Sequence, residues 1–260
     1  MTPEPPLSGT AVLIYGAGRA PAPALALALA RAGAAVAVND LSPTLLDPLV
    51  EMAAGLPGTI RAYPGDASRG MPLRAMIDEI LEDWGKIDVL INNPRIRPNV
   101  PLLEIDEWDW QRTIEMNLNG PFLITKLVAR LMRDQGGGVI LNIVDGCQSR
   151  LDAPGSEAYA ASQQGLRSLA RTAAQALIAY NIRVHALCLN DSAAFEPLGL
   201  SQAGGKADQG DLLTQLAVFL CSPAAAQIPG QEFMVGEHRV DPLPASNWHS
   251  LTDLLAGSKE

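Results

Sequence analysis

Short apolar runs alternate with longer helical stretches along most of the chain. The runs predict strands over residues 10–15, 35–39, 59–63, 88–91, 139–144, 182–188 and 231–235. The run over 88–91 is apolar at its centre, as a parallel strand buried on both faces should be. The pattern therefore predicts a sheet of about seven strands.

Helical periodicity and helix propensity fill the intervals between these strands. Met76, Ile77, Ile80, Leu81 and Trp84 form a stripe at 3.6-residue spacing, and Gly85 is placed to end that helix. Further helices are predicted over residues 22–32, 44–54, 106–119, 121–134, 156–180 and 212–221. Strands that alternate with helices imply right-handed crossovers and a sheet covered on both faces.

We therefore expect an α/β fold, a three-layer, Rossmann-like, doubly wound parallel sheet in a single domain. The domain is expected to span residues 1–260, with a short amino-terminal tail over 1–8 and a carboxyl-terminal tail from about 241. Ligands in such sheets bind beyond the carboxyl ends of the strands. Functional residues are thus expected just after the first, second, fourth, fifth and sixth strands.

Composition narrows the class of protein. The chain has 260 residues and a net charge of −9, from 19 basic and 28 acidic residues. This balance argues against nucleic acid and against an anionic membrane surface as partners, since both need clustered Lys and Arg. No apolar run reaches the roughly 20 residues that cross a bilayer, and no signal-peptide pattern opens the chain. A cytoplasmic protein is expected, with Cys147, Cys188 and Cys221 as reduced core residues and no metal site.

Several motifs occur in a recognisable order. They are the segments over residues 85–93, 117–120, 159–162, 182–186 and 230–231. On these segments the chain resembles the short-chain dehydrogenase/reductase family, from about Gly9 to Gly236. The resemblance implies a Rossmann fold and hydride transfer between a nicotinamide cofactor and a carbonyl or alcohol.

The catalytic positions that the resemblance implies are only partly kept. Family members use a Tyr as general acid/base, a Lys four residues later that lowers its pKa, a Ser that binds the substrate oxygen, and an Asn that holds a water. Tyr159 and Asn117 match the Tyr and the Asn, but Gln163 stands at the Lys position. The Ser position falls on Asp145, or on Gly146 if a one-residue gap is placed differently. A carboxylate beside Tyr159 would oppose its ionisation.

Structural roles remain open for both retained residues. Tyr159 fits a helix residue kept for packing as well as a catalytic remnant. Asn117 could instead bridge backbone groups between helix and sheet.

The phosphate-binding turn of the resemblance is altered as well. The pattern G-x-x-x-G-x-G falls on Gly16, Ala20 and Ala22, and Pro21 lacks the backbone N–H that a phosphate would use. The alternative is that Pro21 simply suits the first turn of a helix that binds no anion.

Other cofactor positions are retained. Asp40 could accept the adenosine ribose hydroxyls, which favours NAD over NADP, whereas Arg19 stands where some NADP-preferring relatives place a basic residue. Asp66 matches a residue that contacts adenine, and Asn92 opens the cofactor loop after the fourth strand. These positions imply no cofactor, or weak NAD(H) binding through the adenosine half.

Arg95 follows in that loop, where relatives have a small residue beside the cofactor. Arg95 and Asp145 come after adjacent strands of the predicted sheet, so we expect them to pair and to fill part of the vacated nicotinamide site. An unpaired charge in so shielded a place would cost several kcal/mol.

The sequence thus predicts a family member that has lost dehydrogenase activity, as a non-catalytic homologue or subunit. Helices over 106–134 and 156–180 would form a homodimer or homotetramer, or a hetero-oligomer with an active relative. One alternative is a weak or atypical NAD-dependent oxidoreductase with a carbonyl or alcohol substrate. A second is a sensor that binds a nucleotide or a metabolite.

Overall fold

The computed structural model describes residues 4–146, 154–189, 209–235 and 240–242. Seven parallel strands form the centre of the molecule: β1 (Ala11–Tyr15), β2 (Ala35–Asn39), β3 (Thr59–Ala62), β4 (Val89–Asn92), β5 (Gly138–Asp145), β6 (Ile182–Leu189) and β7 (Glu232–Val235). They lie in the order β3-β2-β1-β4-β5-β6-β7, which confirms the predicted doubly wound parallel sheet. A short strand that the sequence did not predict, β8 (Val240–Pro242), adds an antiparallel edge to β7.

Helices cover both faces of the sheet. They are α1 (Ala22–Arg31), α2 (Asp47–Met52), α3 (Gly70–Trp84), α4 (Glu107–Ile114), α5 (Gly120–Gln135), α6 (Glu157–Leu177) and α7 (Gln209–Cys221). Buried side chains of α1, α2 and α7 form one hydrophobic core against the sheet. Buried side chains of α3, α5 and α6 form a second core on the opposite face. The three layers follow from the alternation of short apolar runs and amphipathic stretches.

Helix ends agree with the local sequence. The apolar stripe of α3 ends at Gly85, whose φ of 73° is the left-handed conformation that glycine adopts without strain. Helix α2 is shorter than predicted, because a separate 3₁₀ turn over Pro43–Leu45 precedes it and Pro48 occupies its first turn.

The stretch predicted as one helix over 106–119 divides into two parts. Asp106 caps α4 by accepting a hydrogen bond from the Asp109 backbone N–H at 2.8 Å. After α4 the backbone widens into a π-helical turn over Glu115–Asn119. Such turns occur frequently at functional sites, and this one carries Asn117.

Two of the three cysteines lie among the described residues, and they differ in oxidation state. Cys221 is a buried free thiol, and burial raises its pKa to about 12. Cys188 is buried and disulfide-bonded, so the expectation of reduced cysteines is wrong for this residue. Cys147 lies outside the described residues.

Neither a membrane-spanning helix nor a metal-binding cluster is found in the described part of the chain. None of its helices combines the length and the apolar character that crossing a bilayer demands. It contains no group of three or more His, Cys, Asp or Glu side chains arranged to hold a metal ion.

Candidate functional site

The carboxyl ends of β1, β4 and β5 meet at one edge of the sheet, where the predicted site residues converge. Tyr15 pairs with Asn92 across β1 and β4, and Asn92 pairs with Asn142 across β4 and β5. The loop after β4 and the end of β5 therefore face the same crevice. Helix α6 closes the crevice with Tyr159 and Gln163, which are one turn apart.

Arg95 and Asp145 form a buried bidentate ion pair in this crevice, as predicted. Arg95 Nη1 donates to Asp145 Oδ2 at 2.7 Å, and Nη2 donates to Oδ1 at 2.8 Å. Both side chains are only 2% exposed. Arg95 Nε also donates to Asn93 Oδ1 at 3.0 Å, which fixes the plane of the guanidinium.

Tyr159 belongs to the same cluster. Its hydroxyl donates to Asp145 Oδ2 at 2.7 Å, and the ring is fully buried. Burial raises the pKa of Tyr159 well above its ordinary value of 10, and the carboxylate of Asp145 raises it further. The guanidinium groups of Arg95 and Arg97 act in the opposite direction but do not reverse the shift. Tyr159 is therefore a neutral phenol whose proton points to Asp145.

Gln163 takes a structural role at the position of the family Lys. Its Oε1 accepts a hydrogen bond from the Asp145 backbone N–H at 3.0 Å, and its Nε2 donates to the Pro94 carbonyl at 3.2 Å. The side chain thus joins the end of β5 to the loop after β4. It brings no positive charge to Tyr159.

Asn117 makes the backbone bridge that was considered beside a catalytic role. Its Oδ1 accepts from the Ile96 backbone N–H at 2.9 Å, and its Nδ2 donates to the Ile96 carbonyl at 2.7 Å. Nδ2 also donates to Ser162 Oγ at 3.1 Å. Asn117 is fully buried and holds the loop after β4 against α6.

Arg97 is a part of the cluster that sequence reasoning missed. Its guanidinium carbon lies 5.6 Å from the centroid of the Tyr159 ring, and its Nη2 donates to Ser156 Oγ. No motif marks this position, and its only signal was a second Arg two residues after Arg95.

The turn after β1 is held by protein groups. The Asn93 side-chain amide donates to the carbonyls of Gly16 and Arg19, at 2.9 and 3.0 Å. Asp40 Oδ2 accepts from the Gly18 backbone N–H at 3.0 Å. Pro21 occupies the amino-terminal cap position of α1.

Asp66 and Asn92 lie in different surroundings. Burial opposes ionisation of Asp66, but hydrogen bonds from Ser68 and the nearby Arg112 outweigh this and lower its pKa.

Asn92 was predicted on the cofactor loop, yet its amide donates within the protein, to Thr125 Oγ1 and Asn142 Oδ1. Asn93, and not Asn92, lines the crevice. The reason is that Asn92 is still the last residue of β4, and its side chain lies on the face of the sheet that α5 covers, where it contacts Thr125.

The crevice has little free space. Tyr15, Gly16, Asp40, Asn93 and Arg95 are among the residues that line it, and about 30 Å³ is open to the centre of a water-sized sphere.

Known proteins share this architecture. A family model described as short chain dehydrogenase matches residues 10–192. A 3-oxoacyl-(acyl-carrier-protein) reductase of Thermotoga maritima is 32% identical over 238 residues, which are 86% of this chain and 95% of the relative. The chain belongs to the short-chain dehydrogenase/reductase family.

Further members of this oxidoreductase family are similar over most of their length. A D-threitol dehydrogenase of Mycolicibacterium smegmatis is 29% identical over 248 residues, covering 88% of this chain and 92% of the relative. The crystal structure of a hydroxysteroid dehydrogenase from Escherichia coli has a TM-score of 0.75 and 29% identity, and the match covers 88% of this chain and 96% of that one.

Proposed function

We propose that this family member does not carry out hydride transfer and acts as a non-catalytic homologue or subunit. The observation that carries this proposal is the buried cluster of Arg95, Asp145 and Tyr159. It stands where the family resemblance implies the substrate oxygen and its acid/base group. The Tyr159 proton, which would be given to a substrate oxygen, is donated to Asp145 instead, and Arg95 holds that carboxylate in place.

The state of Tyr159 supports the same proposal. A general base must lose its proton near the working pH, which for a Tyr requires a strongly lowered pKa. Here the pKa is raised, because burial and Asp145 outweigh the two guanidinium groups. Gln163 adds no charge that could reverse the balance.

The residues present do not fit the nicotinamide half of the family cofactor. The buried pair of Arg95 and Asp145 lies against the Tyr159 hydroxyl, at the position where the resemblance implies the nicotinamide ring. The adenosine half is better provided for, by Asp40 and Asp66. We infer weak binding of NAD(H) at most, with NAD favoured over NADP.

Assembly is part of the proposal. Trp110 of α4 and Phe122 of α5 expose large apolar side chains on helices that we expect at a subunit interface. We propose a homodimer or homotetramer through α4, α5 and α6, or a hetero-oligomer with an active relative. Light scattering on the purified chain, with and without a Trp110→Glu substitution, would measure this: the variant should dissociate, and an unchanged mass would contradict the interface.

The second candidate is an atypical NAD-dependent oxidoreductase. Relatives about 30% identical are named as reductases and dehydrogenases. In addition, Arg95 and Arg97 both lower the pKa of Tyr159, so a guanidinium could replace the missing Lys if Asp145 were released. A nucleotide or metabolite sensor is the third candidate, and it shares the prediction of adenosine binding.

Calorimetric titration with NADH and NADPH tests these functions. The non-catalytic proposal expects either no heat or binding that saturates only at millimolar NADH. It also expects measurable NADH binding once Arg95→Gly and Asp145→Ser together remove the ion pair without leaving a lone charge. Micromolar NADH binding to the unmodified protein would contradict the proposal, and turnover abolished by Tyr159→Phe would establish the oxidoreductase.

A further inference from the structure

The turn after β1 and the first turn of α1 lie where the family resemblance implies the two phosphates of the cofactor. We call this segment, residues 16–24, the phosphate turn. The amino terminus of a helix binds phosphate through backbone N–H groups that have no partner within the protein. The capacity of the phosphate turn for a diphosphate therefore depends on which of its N–H groups remain available.

Two prolines open α1. Pro21 stands at the amino-terminal cap position and Pro23 is the second residue of the helix, so neither position has an N–H. The N–H of Ala22, between them, donates to the Arg19 carbonyl at 3.1 Å. All three residues are buried. These three consecutive positions therefore offer no donor to an anion.

Two N–H groups earlier in the phosphate turn are directed to protein acceptors. The Ala17 N–H donates to the Asn39 carbonyl at 2.9 Å, and the Gly18 N–H donates to Asp40 Oδ2 at 3.0 Å. The carboxylate of Asp40 thus occupies the place at Gly18 that a phosphate oxygen would take. Because like charges repel, it also opposes the approach of a second anion.

Asn93 holds the phosphate turn in this form. Its side-chain amide donates to the Gly16 and Arg19 carbonyls, so both carbonyls are tied to the loop after β4. The turn cannot redirect its N–H groups towards an anion without breaking these bonds. Arg19 carries the one positive charge of residues 16–24, and one guanidinium does not replace a set of converging N–H groups.

We infer that the phosphate turn does not bind a diphosphate, so that adenosine and ADP are nearly equivalent ligands for this chain. The inference rests on the proposed function, which assigns weak NAD(H) binding to the adenosine half, and it narrows the class of ligand. That class is a nucleoside, held without any contribution from phosphate, and not a dinucleotide.

Calorimetric titration of the full chain with adenosine and with ADP measures what the two phosphates contribute. In the parent protein we expect the two affinities to differ by less than about tenfold. Ala20→Gly, Pro21→Ala and Pro23→Ala together remove a methyl group at a family glycine position and restore two N–H groups. This triple variant should bind ADP at least about tenfold more tightly than the parent does. Pro72→Ala, which changes an exposed proline in the first turn of α3, is the matched control and should leave the ADP affinity unchanged.

Two outcomes would overturn the inference. If the parent binds ADP about tenfold or more tightly than adenosine, the phosphate turn holds a diphosphate as it stands. If the folded triple variant gains no affinity for ADP, the prolines are not what excludes the diphosphate. Should the triple variant not fold, Pro23→Ala alone decides: restoring one N–H should raise the ADP affinity about threefold, and an unchanged affinity would overturn the inference.

These outcomes are distinguishable from a failure of the proposed function. They concern binding of ligands that cannot transfer hydride. A failure of the proposed function would appear instead as oxidation of NADH that Tyr159→Phe abolishes.

Discussion

The guanidinium of Arg95 and the carboxylate of Asp145 face each other in a bidentate pair, with N–O distances of 2.7 and 2.8 Å. The two residues come from the loop after β4 and from the end of β5, and each side chain is 2% exposed. Taking two charges out of water is expensive, and only mutual pairing with good geometry offsets it. The pair therefore links the two strand ends and makes each partner dependent on the other.

Removing one partner should be far more damaging than removing both. We expect Arg95→Met to lower the free energy of unfolding by about 3–5 kcal/mol, because it leaves the Asp145 carboxylate buried and unpaired. Arg95→Met combined with Asp145→Leu should recover much of that loss. Arg133→Met, which breaks the exposed pair with Asp134, is the control and should change stability little. Equal effects of Arg95→Met and Arg133→Met in urea unfolding would contradict the structural role of the pair.

Gly16 should be required by the fold itself, whether or not a cofactor binds. Its φ is +75°, and a Cβ there would lie 2.3 Å from the Asn93 carbonyl oxygen. Gly55 has a similar φ of +81°, but a Cβ there would meet no atom within 4 Å. Gly55→Ala should thus show only the conformational strain of about 1–2 kcal/mol, and Gly16→Ala clearly more. Thermal unfolding of the two variants separates the cost of the steric clash at residue 16 from the cost of the backbone strain that both variants share. Equal losses of stability would be inconsistent with close packing at Gly16.

Replacing Gln163 by the family Lys should not restore chemistry. Gln163→Lys removes the acceptor of the Asp145 backbone N–H and the donor to the Pro94 carbonyl. Leaving such a group buried without a partner costs about 1–3 kcal/mol. We expect a destabilised protein that reduces no carbonyl with NADH, measured at 340 nm, since Asp145 still holds the Tyr159 hydroxyl. Gln164→Lys, one residue later and exposed, is the matched control. Activity in Gln163→Lys would show that the missing Lys was the only defect.

Much of this arrangement follows from the sequence for simple reasons. Alternating apolar runs determine which segments become strands, and right-handed crossovers then determine their order. Once β4 and β5 are neighbours, charged residues just after each strand must meet at the same edge. The contact between Arg95 and Asp145 follows from this shared edge.

Other contacts depend on side-chain direction, which residue order does not give. Asn92 and Asn93 are adjacent and identical in type, yet Asn92 contacts Thr125 of α5 and Asn93 contacts Gly16. The position of Arg97 over the Tyr159 ring depends on the path of an irregular loop.

His185 lies beside Phe233, on the face of the sheet that α1 and α7 cover, and its burial predicts a pH dependence of stability. Its Nδ1 accepts a hydrogen bond from the Gln231 backbone N–H at 3.3 Å, and its ring lies 5.7 Å from that of Phe233. Within the described residues, its Nε2 is buried with no hydrogen-bond partner. The pKa of His185 is lowered from 6.5 to about 3. Burial is the main cause and the positive charge of Arg183 adds to it, whereas the Gln231 hydrogen bond acts in the opposite direction.

The pH dependence of stability follows from this lowered pKa. Above about pH 6.5 the side chain is neutral in both states, so its contribution to stability is fully present. Below pH 6.5 His185 becomes protonated in the unfolded chain, whereas in the folded chain it stays neutral until about pH 3. The free energy of unfolding should therefore fall with decreasing pH, by up to about 1.4 kcal/mol per unit from this residue.

Urea unfolding at pH 7 and pH 5 measures this dependence, and His185→Asn tests its origin. The Asn side chain keeps an acceptor for the Gln231 N–H but does not titrate, so the fall in stability between pH 7 and pH 5 should be smaller by roughly one proton's contribution. In the parent protein, the His185 ring signal in an NMR titration should not move between pH 7 and pH 5. A midpoint near 6.5 would mean that the folded protein accepts the proton, and the buried, neutral state of His185 would be wrong.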